Sequence, residues 1–120
     1  MSVSVAVVAQ DASVRERLIG IIPTDSFAAT ACSPDALSDQ KPGLFIISLP
    51  EMGSPEELLI EHLRADEATA GVPIIIESKL PMEKLQSLDY IASDWTIAIV
   101  EEPVAADVLV DTMGFLLESS

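Results

Sequence analysis

Two apolar runs, LFIIS at residues 44–48 and PIIIE at 73–77, constrain the fold of this chain more than any other feature. Neither alternates polar with apolar residues, so neither suits a sheet with one face in water, and each needs cover on both sides. Strands of that kind belong to parallel sheets with helices packed above and below. Parallel neighbours also need a crossover between them, usually a helix.

The surrounding sequence supplies the crossovers. Residues 3–8 (VSVAVV) predict a first strand, and Asp11 the N-cap of a helix whose Val14, Leu18, Ile21 and Ile22 share one face. Pro23 breaks that helix, and residues 27–32 predict a second strand. Ser33-Pro34 opens a short helix through Ala36 and Leu37, ended by Pro42-Gly43. After the third strand, Ser54-Pro55-Glu56-Glu57 has the order of a helix start: a serine cap, proline at the first helical position and glutamate at the third. The helix it starts runs to about residue 64. A helix at 82–91 carries Leu85, Leu88 and Ile91 on one side. A fifth strand is expected at 95–100, and a last helix at 104–118 with Val108, Leu109, Thr112, Met113 and Leu116 as its core face. Five strands alternating with five helices predict a single α/β domain, 1–120, built on a parallel sheet with right-handed crossovers.

Composition narrows the function classes. Six Lys and Arg stand against 20 Asp and Glu, a formal net charge of -14, which repels a phosphate backbone or an anionic membrane surface. Nucleic acid and membranes are therefore not expected partners, and a basic docking partner stays open. No apolar run is long enough to span a bilayer, and the N-terminal MSVSVAVVAQD has no basic residue before its short apolar run, unlike a secretory signal. The expected location is cytoplasmic. Cys32 is the sole cysteine and His62 the sole histidine, so a cysteine metal cluster is excluded and both residues read as packing positions.

In a doubly covered parallel sheet, function sits at the carboxyl ends of the strands. Those ends are residues 9–11, 48–53, 78–79 and 101–103. Asp11 reads as a helix cap there, Ser48 as a small polar strand terminus and Glu77 as a residue that can face solvent. No glycine-rich phosphate loop follows the first strand, since AQDAS is not a G-x-G-x-x-G, so a flavodoxin-like enzyme is the weakest reading. IISLP is not a nucleophile elbow either.

With the five-fold alternation, the opening VAVVAQDASVRERL, the segment LRADEATAGVPIIIES and Glu102-Pro103, the chain resembles a response-regulator receiver domain. The resemblance covers nearly its whole length and implies a CheY-like sheet of order 2-1-3-4-5. It also implies a site: an acidic pair and a phospho-acceptor aspartate holding Mg²⁺, with a hydroxyl and a lysine for the phosphoryl oxygens. Carried onto this sequence, the acidic pair falls on Ala9 and Gln10, the acceptor on Ser48, the hydroxyl on Ser78 and the lysine on Glu102. Only Ser78 matches.

The resemblance thus implies a degenerate pseudo-receiver with no metal, no cofactor and no catalysis, serving as a protein–protein interaction module in a signalling or localisation pathway. The alternative is a switch driven by Ser48 phosphorylation or by a small ligand in the vacated pocket. The expected contact surface is the face of the fourth helix, fifth strand and last helix, with Tyr90, Trp95, Val104, Val110, Phe115 and Leu117 as its residues and a protein partner or second copy as its occupant.

Overall fold

The computed structural model describes residues 3–34, 42–51, 53–86 and 96–119. Five strands, β1 (Val3–Val8), β2 (Phe27–Cys32), β3 (Leu44–Leu49), β4 (Ile74–Ser78) and β5 (Ile97–Glu101), form one parallel sheet in the order β2-β1-β3-β4-β5. The described helices are α1 (Ala12–Ile21), α2 (Pro55–Ala65), α3 (Met82–Gln86) and α4 (Ala106–Ser119). The helix expected through Ala36 and Leu37 falls outside the described residues, as do Leu88 and Ile91 of the expected fourth helix.

The apolar runs behave as their composition requires. All six residues of β3 and all five of β4 are buried. Alternate side chains feed two layers, because successive strand residues point to opposite faces. Val5, Val7, Leu44, Ile46 and Ile75 pack with Leu18 and Ile22 from the α1 side and Leu109, Met113 and Leu116 of α4. Val8, Phe45, Ile47, Ile74 and Ile76 pack with Leu59, Ile60 and Leu63 of α2 and Leu85 of α3.

Helix starts follow local chemistry. Asp11 caps α1, its carboxylate accepting the Ser13 N–H at 2.9 Å, as the sequence predicts. Ser54 caps α2 through the Glu57 N–H at 3.4 Å, with Pro55 following, while the Glu57 carboxylate reaches back to the Gly53 N–H. Gly53 has φ +78, the left-handed region that glycine enters freely, so the chain can turn sharply from β3 towards the cap. At the far end of α2, Arg64 donates to Val72 O at 2.9 Å and to Thr96 Oγ1 at 2.7 Å, tying the helix to the entries of β4 and β5.

Two expectations for the last helix are corrected. It begins at Ala106, so Val104 lies in the connection before it and is buried, not displayed on a helical surface. Val108, assigned to the core face, is 47% exposed, and Thr112 is half-buried. Only the narrower stripe of Leu109, Met113 and Leu116 reaches the sheet. An apolar residue beside a core stripe need not belong to it, because 3.6-residue periodicity leaves the flanking positions ambiguous.

Candidate functional site

Strand register brings the relevant positions together. Ser48 lies opposite Glu77, Leu49 opposite Ser78, and Ser78 opposite Glu101. Alternation sends Ser48 and Glu77 to the α1/α4 side of the sheet and Ser78 to the α2/α3 side.

Glu77 is the centre of the arrangement. It is 0% exposed, contrary to the solvent-facing role expected for it. A strand covered on both faces has no wet side to offer, so the carboxylate must find its partners inside. Arg17 donates to it from Nη1 at 2.8 Å and from Nη2 at 2.9 Å, and the Val104 N–H adds a third bond at 3.0 Å. A forked guanidinium and a backbone amide together satisfy a buried carboxylate. The hydrogen bond to Glu77 raises the pKa of the Arg17 guanidinium above its ordinary value, against the opposing effect of burial.

Glu102 supplies a second carboxylate from the end of β5, where the Glu102-Pro103 bond is cis. Its Oε1 accepts the Ser48 hydroxyl at 3.2 Å and lies 3.6 Å from Arg17 Nη2. Its Oε2 lies 3.5 Å from Lys79 Nζ, a weak contact because the Lys79 side chain is 73% exposed. Ser48 itself is buried. Ser78, the position that matched the resembled site, is turned to the backbone: its hydroxyl donates to Leu49 O at 2.7 Å and accepts the Leu80 N–H at 3.1 Å.

The end of β1 differs from expectation in one respect. Ala9 is buried and Gln10 exposed, but the Gln10 N–H donates to Glu56 Oε2 at 3.3 Å. Glu56 comes from the first turn of α2, is buried, and its Oε1 has no hydrogen-bond partner among the described residues. Sequence reading had used Glu56 only as part of a helix start. Asp11, one residue further on, is committed to its cap, where the hydrogen bond from the Ser13 side chain is the main cause of its lowered carboxyl pKa.

A divalent cation does not fit these residues. Magnesium in such a site draws on several oxygen ligands, usually with more than one carboxylate. Ala9 has none to give, the Ser48 hydroxyl is directed to Glu102, and Glu56 brings one carboxylate to the end of β1. No three His, Cys, Asp or Glu side chains converge on a metal position among the described residues.

Arg17 and Glu56 were missed as site residues, and Lys79 was named only as part of a strand end. For Arg17 a signal existed: it lies three residues after Val14 and four before Ile21, on the inner stripe of α1. A cation on that stripe, together with a glutamate in a doubly covered strand, points to a buried pair.

The surface expectations divide. Tyr90 and Trp95 lie outside the described residues. Val104 is buried, its N–H held by Glu77, and so belongs to the core. Val110 and Leu117 are half-buried, while Phe115 is 66% exposed. A groove of about 520 Å³ runs between the edge strand β5 and α4, with Ile99, Glu101, Pro103, Val108 and Thr112 among its walls. A second, of about 460 Å³, opens beside Gln10, Ser33, Pro55, Leu58 and His62.

No protein-family profile matches the sequence, and no curated protein matches it. Solved structures do. The signal receiver domain of a signal transduction histidine kinase from Syntrophus aciditrophicus superposes with a TM-score of 0.80 at 18% identity, over 98% of this chain and 92% of that one. A response regulator receiver protein from Pseudomonas putida gives 0.77 at 24% identity, over 96% and 98%. NtrX from Brucella abortus gives 0.80 at 18% identity, and there the match spans 99% of this chain but 28% of the other. At these identities the likeness establishes a CheY-like receiver fold.

Proposed function

We propose that this chain is a phosphorylation-independent pseudo-receiver, a cytoplasmic protein–protein interaction module in a signalling or localisation pathway with no catalysis of its own. The observation that carries the reading is the Glu102 carboxylate, which accepts the Ser48 hydroxyl at 3.2 Å and lies beside Arg17 and Lys79. A phosphoryl donor entering here would meet two carboxylates, Glu77 and Glu102, in surroundings where like charges repel strongly. Their cationic partner Arg17 is already engaged. The fold supports the signalling part of the reading, since its structural neighbours are receiver domains. The apolar residues Val108 and Phe115, exposed on α4, support the interaction part and leave a second copy as one possible occupant.

The alternative reading is modification of Ser48 by a separate kinase, or a small ligand at the strand ends. Arg17 and Lys79 favour it by placing positive charge near Ser48, and the burial of Ser48 opposes it, since a kinase needs the hydroxyl exposed. The deciding experiment is incubation with acetyl phosphate and Mg²⁺, followed by intact-mass spectrometry. The expected spectrum is unshifted; a stable phosphoryl adduct on any residue overturns the reading. Under the alternative, Ser48→Ala abolishes the response of cells that depend on the domain; under the leading reading it leaves that response intact.

A further inference from the structure

The face formed by β5 and α4 combines an apolar groove with a row of exposed acidic side chains. Along its outer side α4 exposes Val108 and, seven residues and about two turns later, Phe115, with half-buried Thr112 between them. Val108 and Thr112 help to line the groove of about 520 Å³, with Ile99 and Pro103 across from them. The charged groups around them are Glu101, Asp107, Asp111 and Glu118, all exposed. From residue 85 to residue 120 the sequence contains no Lys, Arg or His, against seven acids: Asp89, Asp94, Glu101, Glu102, Asp107, Asp111 and Glu118. Of the described cations, Arg15 and Arg17 lie on α1, Arg64 on α2 and Lys84 on α3, while Lys79, after β4, stands at the carboxyl end of β5 beside Glu102.

We infer that this face docks a basic amphipathic segment of another protein, with an apolar side chain seated in the β5/α4 groove and Lys or Arg residues meeting the acidic rim. The inference rests on the interaction-module reading and names the chemistry of its partner. Apolar contact provides the anchor, and complementary charge governs encounter rate and partner choice. A second copy is disfavoured by the same charges. Two α4 helices brought together would set Asp107 and Asp111 against their own counterparts, and α4 carries no basic residue to separate them.

The test uses a fluorescent helical peptide of Leu and Lys with one apolar face, and a control with the same Leu pattern in which Glu replaces Lys. Anisotropy is read at physiological ionic strength. The Lys peptide should bind and the Glu peptide should not. Val108→Ser with Phe115→Ser should weaken binding about tenfold, as loss of buried anchors does. Asp107→Asn with Asp111→Asn should weaken it and flatten its salt dependence. Glu61→Gln with Glu67→Gln, exposed on and just after α2, should leave it unchanged.

The inference falls if both peptides bind alike, if neither binds, or if the α2-side neutralisation matters as much as the α4-side one. It also falls if sedimentation shows a dimer that Phe115→Ser dissociates, because the occupant is then a second copy. A phosphoryl adduct in the mass experiment with peptide binding intact would remove the phosphorylation-independent reading and leave this face standing. An unshifted mass with no peptide binding would do the reverse.

Discussion

A carboxylate with no exposed surface persists in a protein only when its charge is matched and its oxygens are hydrogen-bonded. Glu77 meets both conditions through Arg17 and the Val104 N–H. Removing the guanidinium would leave a buried charge with one amide for company. Arg17→Met is therefore expected to destabilise the fold by about 2–4 kcal/mol, below the full range for a buried pair because a third of the Arg17 side chain is exposed. Chemical denaturation measures the loss. Adding Glu77→Gln to that variant removes the stranded charge while keeping an acceptor for Val104, and should recover at least half of the stability. A double variant no more stable than the single one would show that the pair's charges contribute little.

At the scale of elements, the ends of helices carry their own titration. The carboxyl pKa of Asp11 is lowered from 3.8 by the Ser13 hydrogen bonds, so folding favours its ionised form. Its contribution is complete above the unfolded value and is lost as pH falls through the lower folded value. The melting temperature of Asp11→Ala should accordingly lie below that of the native chain at pH 6, and the gap should narrow as pH falls below about 4. A gap that stays constant down to pH 2.5 would mean that Asp11 contributes nothing as an anion. The strands and caps were legible in the sequence because each rests on a local pattern: unbroken apolar runs for β3 and β4, and Ser54-Pro55-Glu56-Glu57 for α2. The site was only half legible. Ser48 and Glu102 could be placed by position in the chain, but their bond joins residues 54 apart. Arg17 and Glu77, 60 apart, meet only because parallel crossovers bring α1 and the Glu77 side chain to the same face of the sheet. The surface of α4 was misread at Val104, which precedes the helix, and at Val108, because the periodicity leaves residues flanking a core stripe ambiguous.

The whole molecule carries a net charge of -14 over 120 residues, and Arg17 and Lys79 pair with acids at the strand ends. The remaining surface repels itself, and that repulsion works against the compact state. Raising sodium chloride from 20 mM to 500 mM, from a Debye length of roughly 20 Å to one of roughly 4 Å, should raise the melting temperature. A fall would show that the ion pairs outweigh the self-repulsion. The contact between Ser48 and Glu102 also has an evolutionary consequence. Ser48→Asp alone would press a new anion against Glu102, and Glu102→Lys alone would set a cation beside Arg17. Each substitution is unfavourable until the other has occurred, so the two positions are epistatic and the strand ends resist change at one of them alone.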